Sequence, residues 1–144
     1  MAKLTLDQAD RIIAAALAKA AELKLNPLTI AVLDDGAHLK AFKRQDGPGA
    51  PLRPFVAQGK AWGALGMGVS SRAIESRLKE RPHFLGALIE ASQGRVIPVA
   101  GGVLIRDPAS HEVVGAVGVS GDTSDNDEAV AIAGIVAAGL KTDA

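Results

Sequence analysis

The spacing of apolar residues changes along the chain and separates helical segments from strand-like ones. Over residues 5–25 apolar side chains recur every three or four positions, and Thr5 with Gln8 forms a capping-box pattern, so this segment is predicted to be a helix. Residues 28–33 are a short apolar run and residues 38–43 alternate, with an Asp-Asp-Gly-Ala turn between them. This pattern predicts a β-hairpin.

The rest of the chain is predicted to form helices, then three strands and a last helix. Further helices are predicted over residues 54–65, 71–79, 84–91 and 125–140, the last beginning at a capping box of Ser124 and Asp127. Three more strands are predicted over residues 96–99, 103–106 and 113–119. Paired hairpins between helices favour an α+β fold, with an antiparallel sheet of five strands flanked by helices in one domain over 1–144.

Composition excludes several classes of function. The 144 residues carry no net charge, 3% are aromatic, and none is cysteine. A neutral chain with few aromatic side chains is not expected to bind nucleic acid, and a chain without cysteine has neither disulfides nor a thiol nucleophile. No apolar run approaches the roughly 18 residues of a membrane span, and acidic residues lie where a secretory signal would be apolar, so no membrane partner and a cytoplasmic location are expected.

Histidines and acids show no metal-ligand spacing. The three histidines are isolated from one another, and none lies near a cysteine. Structural and catalytic metal sites in proteins draw their ligands from clusters of these residue types. We therefore predict no metal site formed by the side chains alone.

A basic stretch lies between residues 40 and 60, where five basic residues face one acidic residue, Asp46. It predicts an anionic small-molecule ligand that contacts Lys43, Arg44 and Lys60. Lys60 is the least expected of these cations, because alanines surround it on its helix. The alternative is a solvated strand edge, since lysine commonly protects exposed edges.

A second candidate anion site lies where a strand rich in small residues leads into the last helix. Backbone N–H groups and the helix dipole make such a junction attractive to anions. The candidate ligand contacts there are Gly118, Ser120, Gly121 and Asp122. The first-turn acids have a simpler alternative explanation, because the helix dipole alone favours them.

Several blocks of sequence, in order and spacing, resemble the GlcG/HbpS family. The blocks are Asp-Asp-Gly-Ala-His-Leu at 34–39, Arg-Gln-Asp-Gly at 44–47, Gly-Lys-Ala at 59–61, Gly-Gly-Val at 101–103, Val-Gly-Ala-Val-Gly-Val-Ser-Gly at 114–121, Asp-Glu at 127–128 and Ala-Gly at 133–134. Each block alone is weak evidence for the resemblance, but together, in this order, the blocks are specific and cover nearly the whole chain.

The resemblance implies a profilin-like fold with a five-stranded antiparallel sheet, and it implies homo-oligomers. It also implies haem as a possible cofactor, because some relatives bind haem and a related domain is fused to PduO-type cobalamin adenosyltransferases. In fused-domain relatives a histidine of the first helix is thought to ligate the iron, and residues 5–25 contain no histidine. The iron ligands of the family are therefore not matched here.

Two function hypotheses follow from these observations. The first is a cytoplasmic, oligomeric small-molecule-binding protein whose ligand is haem or another tetrapyrrole. The second is a small catabolic enzyme, an isomerase, hydratase or lactone-opening catalyst, that acts on a carboxylated metabolite. In that enzyme Arg44 would bind the carboxylate, and Lys60 or His38 would transfer protons. Asp46 or Asp122 would orient the reacting groups or act as the base, and the backbone of residues 118–121 would stabilise an oxyanion.

Overall fold

The computed structural model describes residues 2–47 and 50–143, which form five helices and four strands in the order helix, two strands, three helices, two strands and helix. The helices are α1 (Leu6–Leu23), α2 (Arg53–Met67), α3 (Ser71–Leu78), α4 (Pro82–Ala91) and α5 (Ser124–Ala137). The strands are β1 (Thr29–Asp34), β2 (Leu39–Arg44), β3 (Gly102–Arg106) and β4 (Val113–Ser120). They form one antiparallel sheet in the order β2-β1-β4-β3, which confirms the α+β class.

Helices cover both faces of this sheet. On one face α1 and α5 pack against alternate strand residues such as Ile30, Val117 and Ile105, and this forms the larger core. On the other face α2 packs its small residues against Leu33, Leu104 and Ala116. Because α2 approaches the sheet through small side chains, its backbone lies close to the strands.

The sheet has four strands among the described residues, so the prediction of five was wrong. Residues 96–99 do not pair with a strand. Instead Val96 lies over Gly63, and the Ile97 N–H donates to the Gly59 carbonyl oxygen at 3.4 Å. The apolar side chains that favoured a strand are therefore used in packing along α2, and Pro98 has no N–H to donate to a neighbouring strand.

The ends of several helices also differ from the prediction, most clearly in α1 and α5. The capping box of Thr5 and Gln8 is present, and α1 ends at Leu23, where Lys24 takes a left-handed conformation with φ of 55°. At α5 the N-cap is Thr123 rather than Ser124, because the Thr123 side chain accepts from the Asn126 N–H. That helix ends at Ala137, before the predicted residue 140.

No described helix combines the length and the apolar character that crossing a membrane requires.

Candidate functional site

A cleft lined by apolar, aromatic and polar side chains lies beside α2, next to the β1–β2 hairpin. It encloses about 420 Å³, a volume within the usual range of small-molecule sites. Its lining residues are Leu33, Ala37, Leu39, Phe55, Gln58, Gly59, Trp62, Gln93, Gly94 and Arg95. The lining therefore combines aliphatic and aromatic side chains with amides and a single charged group, the guanidinium of Arg95.

Three segments of the chain build this cleft. A bulge between Val32 and Leu33 shifts the register of the hairpin, so that Leu39 lies opposite Leu33 on the α2 face of the sheet. The segment after α4 turns through left-handed residues, with φ of 58° at Gln93 and 78° at Gly94. These turns bring Arg95 back over α2.

Gly59 sets the distance between α2 and the returning segment. A Cβ atom at this position would lie 2.3 Å from Cγ1 of Ile97 and 2.7 Å from the Arg95 carbonyl oxygen. The absence of a side chain therefore allows the returning segment to pack directly on the helix. In this position the Arg95 guanidinium lies 5.4 Å from the ring centroid of Trp62, a cation–π contact.

Lys60 lies inside the protein, away from the cleft. Its side chain is 4% exposed, and its ammonium group donates to Oδ2 of Asp127 at 3.2 Å and to the Val119 carbonyl oxygen at 3.0 Å. Burial raises the pKa of the Asp127 carboxyl, and the charge of Lys60 opposes that rise. The partners of the Lys60 ammonium group are thus the carboxylate of Asp127 on α5 and a backbone carbonyl near the end of β4.

The junction between β4 and α5 is filled by the chain's own carboxylates. The Asp122 N–H donates to Oδ1 of Asp127 at 3.0 Å, and Oδ1 of Asp122 accepts from the Thr123 N–H at 2.9 Å. Asp122 also accepts from the Asn126 amide and the Asn26 N–H, and these hydrogen bonds lower the pKa of its carboxyl. The N–H groups of Asp122 and Thr123 at this junction therefore already have protein acceptors.

The glycines of this junction pack against backbone. A Cβ atom at Gly118 would lie 1.8 Å from the Ala57 carbonyl oxygen, and one at Gly121 would lie 2.4 Å from the Pro27 carbonyl oxygen. Ser120 is 8% exposed. It pairs with Thr29 of β1, which in turn pairs with Arg44 of β2. These positions serve close packing at one end of the sheet.

The remaining candidates are divided between the two ends of β2. Arg44 and Asp46 share a shallow surface depression at its C-terminal end. His38 precedes the strand at the other end, roughly 20 Å away at 3.3 Å per residue. Lys43 is exposed, and it lies opposite Ile30 on the face that carries α1. With Lys60 buried, the structure does not bring together the groups that the enzyme hypothesis requires.

The aromatic and charged residues of the cleft were not among the site residues predicted from the sequence. Phe55 and Trp62 come from a helix and Arg95 comes from a distant loop, and no motif connects the helix residues with Arg95. One feature of the sequence could have indicated the cleft. Only 3% of the residues are aromatic, yet two of the four aromatic side chains lie seven residues apart on α2. That spacing places both on one face of a helix.

Comparison with known proteins identifies the family. The family model described as "haem degrading protein HbpS-like" matches residues 4–136. A search of curated protein sequences finds no match to this chain.

Several solved structures share the fold. The structure of PduOC in complex with haem has a TM-score of 0.86 at 22% identity, covering 98% of this chain and 99% of that one. Protein ORFY of Klebsiella pneumoniae has a TM-score of 0.84 at 27% identity, covering 96% of this chain and 93% of that one. HbpS has a TM-score of 0.79 at 26% identity, covering 94% of this chain and 90% of that one. The chain therefore belongs to the HbpS-like family, as the blocks of its sequence predicted.

Proposed function

We propose that this protein binds a flat, anionic small molecule of the haem or tetrapyrrole class in the cleft beside α2. The observation that carries the proposal is the lining of the cleft, where Phe55 and Trp62 offer aromatic surface and Arg95 offers the one charge. Membership of the HbpS-like family and the likeness to a haem complex of PduOC support this class of ligand.

The lining suits the two chemical features of such a ligand. Apolar and aromatic walls match a planar macrocycle, because stacking on an aromatic ring adds to the gain from burying apolar surface. A guanidinium matches a carboxylate, with which it forms paired, charge-assisted hydrogen bonds. In this proposal Arg95 takes the role that the sequence suggested for Lys43, Arg44 and Lys60.

A haem titration with a matched pair of variants tests the proposal. Adding haem to the protein is expected to give a saturable change in the haem absorption spectrum. Phe55→Ala removes an aromatic wall of the cleft and should weaken binding about tenfold, which corresponds to about 1.4 kcal/mol. Phe84→Ala removes a phenylalanine of α4 that does not line the cleft, and it should bind as the wild type does.

The proposal would be wrong if the spectral change grew linearly with haem and never saturated. Equal weakening by both phenylalanine variants would also contradict it, because the binding surface would then not be the cleft.

The proposal includes self-association and a cytoplasmic location. Support for self-association comes from large apolar side chains that remain exposed in the single chain. At least half of the residue's surface is exposed at Leu6, Leu39, Leu52, Phe55 and Val136. Aromatic and other apolar residues of this kind are typical of the central part of protein interfaces.

A further inference from the structure

We infer that the cleft recognises the flat skeleton and the carboxylate of its ligand and makes no bond to a metal. It should therefore accept a metal-free tetrapyrrole as readily as haem. This inference rests on the proposed function, because it specifies which features of the ligand the same cleft recognises.

The first argument is the set of donor atoms in the lining. Haem iron in proteins is held by histidine, cysteine, methionine or tyrosine. The chain has no cysteine and no tyrosine, and no histidine or methionine lines the cleft. The amides of Gln58 and Gln93 are the uncharged polar side chains there, and they suit hydrogen bonds to a ligand's edge rather than a bond to iron.

The second argument is the position of the three histidines. His83 is exposed in the first turn of α4, and His111 is exposed in the turn between β3 and β4. His38 lies next to lining residues in the chain, but its ring packs over Gly36, where an added Cβ would be 2.9 Å from Cδ2 of His38. None of the three therefore contributes to the cleft.

The third argument is the state of Arg95. Its side chain is exposed and has no ion-pair partner in the described part of the chain, and its guanidinium lies over Trp62. A cation held against an aromatic face keeps its N–H groups at the ring's edge and free for a carboxylate. A ligand that stacks along Trp62 would bring its acid group to this guanidinium without any further contact.

The test uses Trp62 as a reporter, since it is the one tryptophan of the sequence. The wild-type protein is titrated separately with haem and with iron-free protoporphyrin IX, and the quenching of tryptophan fluorescence is followed. Both probes should quench to saturation, with dissociation constants within about threefold of each other.

Two arginine variants provide the matched comparison. Arg95→Gln should weaken both probes about tenfold and to the same extent, because the same carboxylate contact is lost for each. Arg81 also lies over an aromatic ring, 4.6 Å from the centroid of Phe84, but outside the cleft. Arg81→Gln should therefore leave both titrations unchanged.

Each other outcome overturns the inference in a distinguishable way. Saturable quenching by haem with iron-free porphyrin bound at least tenfold more weakly would mean that the iron is ligated, and the proposed function would stand. Saturable quenching by neither probe would remove the proposed function as well. If the Arg95→Gln variant bound both probes as tightly as the wild type does, the carboxylate contact would lie elsewhere.

Discussion

Lys60 shows how the same residue type can serve packing or ligand binding, depending on its partners. It is buried between α2, the end of β4 and Asp127 of α5, so its ammonium group connects three elements. Asp127 in turn accepts from the Asp122 N–H. The sequence indicated correctly that Lys60 needs a partner within its alanine surroundings, but it could not show that the partner is Asp127, 67 residues away.

Replacing Lys60 by methionine is expected to destabilise the fold strongly. The variant leaves the Asp127 carboxylate buried without its cation, and the loss of one partner of a buried pair typically costs about 3–5 kcal/mol. Lys60→Met combined with Asp127→Asn should recover at least half of that loss, because asparagine is uncharged and keeps an oxygen for the Asp122 N–H. The free energy of unfolding from urea denaturation measures both effects.

Lys43→Met is the control for this comparison, because Lys43 is exposed and has no ion-pair partner among the residues that the structure describes. It should change the free energy of unfolding by less than about 0.5 kcal/mol. A Lys60→Met variant as stable as the Lys43→Met variant would contradict the buried pair.

At the scale of elements, the contact between α2 and the sheet determines the shape of the molecule. Gly118 of β4 lies against the backbone of α2 at Ala57, and Gly102 of β3 lies against the backbone at Lys60. Without these glycines the helix could not approach the strands closely, and the cleft beside α2 would have a different width. Glycine in the middle of a strand is costly, so such positions mark a close approach.

The exchange of Gly118 for alanine tests this close approach. Because the new Cβ would lie 1.8 Å from the Ala57 carbonyl oxygen, the helix must shift, and the expected loss of stability is about 1–3 kcal/mol. Gly86 is the control, since it lies in α4 with nothing within 4 Å of an added Cβ. Gly86→Ala should stabilise the protein by up to about 1 kcal/mol through helix propensity.

The midpoint of urea unfolding measures this difference, provided that the slope of the transition is unchanged. A Gly118→Ala variant as stable as the wild type would show that α2 lies further from β4 than the structure has it.

Most elements could be predicted from the sequence because local rules determine them. The capping box of α1, the β1–β2 turn and the strands β3 and β4 all follow from short-range patterns. Residues 96–99 could not be assigned this way, because an apolar segment packs on a helix or pairs in a sheet according to distant partners. In this protein the distant partners are Gly59 and Gly63 of α2.

At the scale of the whole molecule, the candidate site as a whole could not be predicted from the sequence. The family could be identified from ordered blocks, but Phe55, Trp62 and Arg95 converge only through the packing of α2 against the hairpin and the loop after α4. The basic residues between positions 40 and 60, which predicted a single anion site, lie at separate places in the structure. Lys60 turns inward, while Lys43 and Arg44 remain exposed on opposite faces of β2.

Self-association is the property of the whole molecule that solution measurements test most directly. A single chain has a mass of 14.7 kDa and exposes Leu39 and Phe55 at the cleft, together with Leu52 just before α2. Burying such side chains between copies is favourable by about 25 cal/mol for each Å² of apolar surface removed from water. Light scattering coupled to size-exclusion chromatography is therefore expected to give a mass of at least two chains.

Assembly also makes the midpoint of thermal unfolding depend on protein concentration. When folding and association are coupled, mass action stabilises the folded state as the concentration rises, so a hundredfold concentration series should raise the midpoint. Leu52→Lys places a charge on an exposed side chain outside the cleft lining. Leu23→Lys does so on an exposed side chain at the end of α1, which provides a comparison at another surface. If the mass remains 14.7 kDa and the midpoint is constant across the series, the protein is a monomer and the exposed apolar side chains have another role.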